Sequence, residues 1–489
     1  MIKHTSVSDS NLPDSPLQSS DVVHPVEPEH KVPEGSNKEL LQSATNQAHA
    51  LHANAVHLFS QGGPSNKESA KRALDLIEQS INIQASAQSI VNAAKICMVL
   101  EDHQKAIFWA EKCLAFCKQA QENPSIEVHR ILGQAHAHLA QYKEALTHLQ
   151  TFYAQNSQDM ANEFDLSYAL LALGNYEEGW HHYQVRYRSG FSVSGAKELA
   201  KIPATEWDGN LASLDGKVFL LMPEQGFGDE IQFSRICRHL QSAGARVWVM
   251  APKPLETLMR TLPWKERVVS TDWQGFSEID YWSTAIRSCA LLKLNPYKEP
   301  PCCPYFLPDP SLVSSLQNSI QQGTNSANIG LNWRGNPQHF NDKARSLSLE
   351  EMLQELTLQL THLNDLNLLK QPTTAEQASP AIEQTHKRQR QARLYSFQIS
   401  PTSEEIELMA VHGIRNLASE IKDFSIMAAA LSMMDHMLSV DSAPAHLAGA
   451  LNVPTTLLVP PRIDWRWGTK EQRPPWYSSV QVKEQMRFK

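Results

Sequence analysis

Lys217-Val218-Phe219-Leu220-Leu221-Met222-Pro223-Glu224-Gln225-Gly226-Phe227-Gly228-Asp229-Glu230 is the stretch on which the reading of this chain turns. Its apolar half stops at Pro223, two glycines bend the backbone, and Asp229 opens Ile231-Gln232-Phe233-Ser234-Arg235-Ile236-Cys237-Arg238-His239-Leu240. That second segment repeats its apolar residues at three- and four-residue intervals, the period of a helix packed on a core. Strand, glycine turn and helix in succession present backbone N–H groups and one side chain above the carboxyl end of a parallel sheet. Asp229 then stands either where a ligand binds or as an ordinary helix cap, because Asp caps many such turns. Neither the spaced glycines of a dinucleotide fingerprint nor the Gly-Lys-Ser/Thr ending of a P-loop is present.

Outward from this stretch, short apolar runs alternate with helical patterns from about residue 200 to the end. Val218–Met222, Val247–Met250 and Val268–Val269 predict one set of strands, and Ile329–Trp333, Leu394–Phe397, Met437–Val440 and Thr455–Val459 a second. Two blocks of strand–helix alternation predict two parallel-sheet domains, here 200–325 and 326–489. The polar stretch from Ser314 to Ser326 reads as their linker, and 363–393, with the basic run His386-Lys387-Arg388-Gln389-Arg390, as a surface insertion. So short a basic run is ordinarily a solvated face.

The second block holds Met437-Leu438-Ser439-Val440-Asp441-Ser442-Ala443-Pro444-Ala445-His446. A strand ends at Val440, Asp441 and Ser442 cap, and Pro444 suits a first helical turn. His446 follows Ser442 by one helical turn and shares its face. A hydroxyl, free N–H groups and an imidazole at a helix N-terminus suit a diphosphate, although a plain capped turn with a buried His has the same residues.

Upstream, residues 38–199 are helical and repetitive. Ala73, Ala106, Ala145 and Gly179 recur at 33, 39 and 34 residues within similar segments. A period of about 34 with a small residue at the helix crossing is the tetratricopeptide pattern. The wider interval predicts a longer loop near Gln119–Pro124, and Leu132-Gly133 and Leu173-Gly174 predict close helix stacking. Stacked hairpins leave a concave face for a protein partner. Residues 1–37 have few large apolar groups and read as disordered.

At 489 residues the chain exceeds one ordinary domain. A net charge of −8 argues against a nucleic-acid binder. No apolar run reaches the roughly 18 residues of a membrane span. The N-terminus has no secretory core, and seven cysteines without framework spacing predict a reducing, cytoplasmic setting.

Taken in order, Glu224–Phe233 and Ser439–Leu447 resemble the heptosyltransferase-like glycosyltransferases, and most closely bacterial chains that join tetratricopeptide repeats to such a domain. Glu206-Trp207-Asp208-Gly209, Gly330–Pro337, Asn341–Ser346 and Asp464-Trp465-Arg466-Trp467 extend the resemblance over roughly 130–480. It implies an α/β protein with an all-α repeat region: a tetratricopeptide solenoid, then two Rossmann-like domains facing across a GT-B cleft. It also implies an inverting transferase that uses a nucleotide-sugar donor, a protein or glycan acceptor and no metal or other cofactor. Asp229 matches the family's catalytic base, with Gly226 and Gly228 beside it, and Asp441, Ser442, Ala443 and His446 match its diphosphate turn. Lys343 or Arg345 would face the leaving phosphates, and Trp333, Asn336 and Gln398 stand at or just after strand ends. One departure is Ala443, where heptosyltransferases usually have Gly; it bears on the donor.

The rival expectation is a non-catalytic repeat scaffold with a degenerate transferase domain. A domain that only packs needs neither Asp229 nor the Asp441–His446 turn. Cys113 and Cys117 lie one helical turn apart without a partner pair and read as core thiols. His136 and His138 point to different faces, Cys302-Cys303 falls in a proline-rich loop, and Trp465 and Trp467 fit either a sugar pocket or a core anchor.

Overall fold

The computed structural model describes residues 34–62, 66–188, 202–321, 326–339, 341–362, 391–471, 473 and 475–486. The expectations for 1–33 and for most of the insertion, 363–390, lie outside the described residues.

The helical region begins with α1 (Glu34–Gly62), so residues 34–37, expected to be unstructured, are helical. It continues through α2 (Lys67–Ile83), α3 (Ala87–Val99), α4 (His103–Ala120), α5 (Glu127–His138), α6 (Tyr142–Gln155), α7 (Met160–Ala172) and α8 (Tyr176–Tyr183). Consecutive helices pack against each other along the whole series. Polar side chains start several of them: Asn66, Asp102 and Asp159 accept from Ser69 N (3.0 Å), Lys105 N (3.0 Å) and Asn162 N (2.9 Å). Ala73, Ala106 and Ala145 are fully buried at the crossings. A Cβ on Gly179 would lie 2.8 Å from Leu171.

Gly133 and Gly174 do different jobs, contrary to the expectation that both serve close stacking. Gly133 lies inside α5, where a Cβ would meet Leu149 at 2.7 Å. Gly174 follows α7 with φ +79, a left-handed helix stop. Ala140, at φ 58, takes that place before Tyr142. The longer loop falls where expected, between Ala120 and Glu127. Cys113 and Cys117 are buried in the repeat core.

Eleven strands follow among the described residues: β1 (Thr205–Glu206), β2 (Val218–Met222), β3 (Arg246–Ala251), β4 (Arg267–Ser270), β5 (Tyr281–Thr284), β6 (Ser326–Asn332), β7 (Gln391–Ser396), β8 (Arg415–Asn416), β9 (His436–Val440), β10 (Thr455–Val459) and β11 (Val480–Glu484). The first sheet runs β1-β5-β2-β3-β4 and the second β11-β10-β9-β6-β7-β8, with every pairing parallel. All seven predicted strands are present. The residues Gln391–Arg393, assigned to the insertion, pair with β6 instead.

The linker expectation needs a correction. Pro310–Leu316 is a helix capped by Asp309, with Leu316 and Ile320 buried. It packs on the helix Phe424–Leu431 of the second block, so the two α/β blocks meet through it. One continuous core runs from α6–α8 through the first sheet to Phe424–Leu431 and Ala443–Ala450. Trp180 sits inside it, fully buried, with Nε1 donating to Leu294 O at 2.7 Å. Its ring lies 5.3 Å from Trp465 and 6.5 Å from Phe233.

Candidate active site

In each sheet the chain winds first one way and then the other, which leaves a crevice beyond the carboxyl ends of two neighbouring strands. In the first sheet β3 and β4 extend from one side of β2 and β5 from the other; Met222 and Thr284 are the last residues paired across that boundary. The loop after β2 carries Glu224–Gly226 and runs into the helix Phe227–Phe233. In the second sheet the boundary falls between β6 and β9, at the pair Asn332 and Ser439. There Asn332 Nδ2 donates to Ser442 Oγ at 3.0 Å, tying the β6 end to the loop after β9.

The two crevices meet. A Cβ on Gly228 would lie 2.8 Å from His446 Cδ2 and 3.5 Å from Ala443 Cα, so only glycine admits this approach. Phe227 and Phe424 pack edge to face beside them, at 5.3 Å. Two doubly wound sheets thus oppose their ligand-binding ends across one cleft. The chain is a GT-B fold on tetratricopeptide-type repeats.

Within the GT-B cleft Asp229 is not a cap. The helix N-cap is Gly226, and the Asp229 carboxylate turns instead to Arg466, with Oδ1 2.6 Å from Nη2. Burial raises the Asp229 pKa from its ordinary value, and the Arg466 charge works against that rise. Arg466 also holds Asp464 Oδ1 through Nη1 (3.0 Å) and Gln225 Oε1 through Nη2 (3.1 Å). Among the described residues its Nε is buried without a hydrogen-bond partner. Beside it Arg186, from just after α8, pairs with Glu224 at 2.5 Å, and Thr284 Oγ1 donates to the other Glu224 oxygen at 2.5 Å.

On the opposite wall His446 is buried. Nδ1 lies 3.0 Å from the Tyr477 hydroxyl and Nε2 3.7 Å from Asp441 Oδ1, and the ring stacks on Trp467 at 4.9 Å. Burial, then the Arg466 charge, lowers its pKa to about 3, so the imidazole is neutral. Its Nε2 faces Asp441, and this nitrogen carries the ring N–H in the tautomer whose Nδ1 accepts from Tyr477. Burial and the neighbouring Asp464 raise Asp441 to about 6. The turn offers fewer N–H groups than expected. Pro444 has none, and Ala445 and His446 both donate to Ser442 O. The Ser442 hydroxyl donates to Val440 O at 3.0 Å.

The remaining candidates divide. Arg345 is half-buried against Asp342, and Lys343 and Asn336 are exposed; Asn336 lies in the loop after β6 and the other two in the short helix Asp342–Arg345 that follows it. Trp333 and Gln398 turn away from the cleft. The Trp333 ring is fully buried among Leu347, Met352 and Leu438, with Nε1 donating to Glu405 at 2.7 Å. Gln398 Oε1 accepts from Arg334 N at 2.8 Å. Trp465 and Trp467 are core anchors, at 0% and 3% exposure. The sequence reading missed Arg466 as a site residue, although Asp464-Trp465-Arg466-Trp467 stood among the supporting motifs. It also missed Arg186, Glu224 and His339, whose imidazole feels the charges of Arg345, Asp464 and Asp229.

The turn itself is shaped by Glu230, whose Oε1 accepts from Glu224 N (2.8 Å) and Gln225 N (3.4 Å). Burial raises Glu230 to about 8, against an unfolded value near 4.5, so it is protonated in the fold at neutral pH. Its contribution to stability is full below about pH 4.5 and is lost as pH rises through about 8. Glu230→Gln keeps the acceptor and removes the titration. Thermal melts of the two proteins should therefore diverge between pH 5 and 8, with the variant gaining on the wild type by roughly a few kcal/mol. Parallel melting curves across that range would exclude a buried, titrating Glu230.

No protein-family model matches the chain. Protein FlbA of Caulobacter vibrioides is 25% identical over 370 residues, covering 71% of this chain and 55% of that protein. The chain thus spans about half the length of the curated relative it matches. Among solved structures, the Escherichia coli ADP-heptose lipopolysaccharide heptosyltransferase II is similar over 55% of this chain and 90% of its own, with 14% identity and a TM-score of 0.36. The Thermobaculum terrenum O-GlcNAc transferase is similar over 88% of this chain and 84% of its own, with 11% identity and a TM-score of 0.26. Among the described residues, no helix is long and apolar enough to cross a membrane.

Proposed function

We propose that this chain is an inverting glycosyltransferase that moves a sugar from a nucleotide-sugar donor to an acceptor. The observation that carries the reading is the placement of Asp229: it has no capping duty, it follows β2 at the first crevice, and its neighbour Gly228 packs against the opposing Ala443–His446 turn. The acceptor hydroxyl oxygen attacks the anomeric carbon from the face opposite the leaving group. Its proton passes to the Asp229 carboxylate, and the glycosidic C–O bond breaks with its electrons on the departing nucleoside diphosphate. The Asp441–His446 turn would seat the diphosphate, with the Ala443 backbone and the neutral His446 ring on its near side. Arg345 and Lys343 would offset the charge that develops on the leaving phosphates, a task metal ions perform in other transferases. The repeats would orient a protein or glycan acceptor.

One observation favours the rival scaffold reading: Asp229 already pairs with Arg466, as it would in a domain that only packs. A panel of nucleotide sugars separates the two. Donor hydrolysis, or calorimetric binding of a nucleoside diphosphate that depends on the Asp441–His446 turn, is expected of a transferase. Absence of both across the panel would leave the scaffold.

A further inference from the structure

The segment Arg462–Trp467 is gripped by four successive repeat helices. Arg462 Nη1 meets His138 Nδ1 of α5 at 2.6 Å, and the Tyr142 hydroxyl of α6 donates to Ile463 O at 2.7 Å. The Tyr168 hydroxyl of α7 donates to Asp464 Oδ2 at 3.0 Å, and Trp465 packs on Trp180 of α8. The other Asp464 oxygen, Oδ1, accepts from Arg466 N at 2.9 Å and from Nη1 at 3.0 Å. A guanidinium is a rigid planar fork, so fixing Nη1 also fixes where Nη2 points. Nη2 points at Asp229 Oδ1, 2.6 Å away. Asp229 Oδ2 is directed toward the exposed Gly226, 3.7 Å from where a Cβ there would stand.

We infer that the repeats position the cleft carboxylate through a tether of Tyr168, Asp464 and Arg466, with Arg466 occupying Oδ1 so that Oδ2 faces the acceptor. The inference rests on Asp229 being the base. The repeat region is then part of the transfer machinery as well as a docking face, and Arg466, Asp464 and Tyr168 are positioning residues. An acceptor that displaces α7 would rotate Asp464, swing the fork and reset the carboxylate.

Tyr168→Phe removes one hydroxyl and keeps the ring. Asp464→Asn is the second variant, and Arg466→Lys retains the charge without the fork. The charged groups facing Asp229 are Arg466, Asp464 and Arg186, and the other titratable groups near it are His339 and, on its own helix, Glu230. Without the Tyr168 hydroxyl, Asp464 draws Arg466 toward itself, and Asp229 loses part of the charge that favours its ionised form. Tyr168→Phe should lower kcat about tenfold, the effect of one lost hydrogen bond to a charged group. Donor KM should be unchanged, and the acid limb of kcat should move to higher pH. Arg466→Lys should restore the limb part of the way relative to Arg466→Met.

A lower melting temperature with kcat and acid limb unmoved would overturn the tether and leave Tyr168 a packing residue. Should the wild type turn over no donor, the functional reading fails, and the tether is still decided by carbon-13 carboxyl NMR. The Asp229 resonance, identified by its loss in Asp229→Asn, should titrate at higher pH in Tyr168→Phe and at lower pH in Asp464→Asn, where a negative charge is removed and Arg466 is left to Asp229 alone; an unmoved titration in Tyr168→Phe overturns the inference.

Discussion

Asp229→Asn is expected to lower sugar transfer by about 10²- to 10⁴-fold, the usual contribution of a positioned general base. The amide keeps the shape of the carboxylate but neither accepts the acceptor's proton nor balances Arg466. Binding of a nucleoside diphosphate should persist, because the Asp441–His446 turn belongs to the other half of the cleft. The pH dependence supplies a second readout. Burial raises the Asp229 pKa, so its ionised fraction and the wild-type rate should climb with pH above the ordinary carboxylate range and then level. The residual rate of the variant should lack that climb. Some stability will also be lost, since Arg466 is buried and would retain only Asp464 as a charged partner. A folded variant whose transfer rate stays within a few-fold of wild type would remove Asp229 as the base and return it to the role of an ion-pair partner.

The strands legible in the sequence are those with continuous apolar runs, because parallel strands covered on both faces must be apolar throughout. The four that were missed lack that signal. Thr205–Glu206 and Arg415–Asn416 are two-residue edge strands, Val480–Glu484 alternates apolar and polar residues at an edge, and β5 ends in the buried polar pair Ser283-Thr284. Thr284 serves the site instead, donating to Glu224. Asp229 and the Ser442 turn were legible because strand ends flanked by Gly, Asp, Ser and Pro mark the sheet's ligand edge. Trp333 and Gln398 share that position in sequence yet turn away, one into the core behind β6 and the other onto Arg334 N. Sequence position gives the end of a strand, whereas the direction of the next side chain is settled by the turn. Arg466 lay beyond reach for a different reason. Its partners Asp229 and Gln225 are more than two hundred residues away, and nothing in Trp465-Arg466-Trp467 states which carboxylate the cation will meet.

The same core that hides Arg466 predicts the largest effect on stability. Trp180, on α8, is fully buried against the first block's helix Phe227–Phe233 and Trp465. Trp180→Ala should cost about 3–5 kcal/mol through the lost indole contacts and the cavity left behind. The Leu294 carbonyl would also lose its donor, a loss of about 1–3 kcal/mol where water cannot replace it. Because this indole joins the repeats to both α/β blocks, the effect should reach beyond local melting. Denaturant unfolding should shift to lower midpoint and split, with the repeats around Trp109, which have their own core, unfolding apart from the cleft. Trp109→Ala is the matched control: it opens a cavity in that separate core and should destabilise the repeats without altering nucleotide binding. If Trp180→Ala instead unfolds in one transition within about 1 kcal/mol of wild type, the repeats and the cleft do not depend on this contact. The grip of α5–α8 on Arg462–Trp467 would then have to be carried by the Tyr142 and Tyr168 hydroxyls and the Arg462–His138 contact.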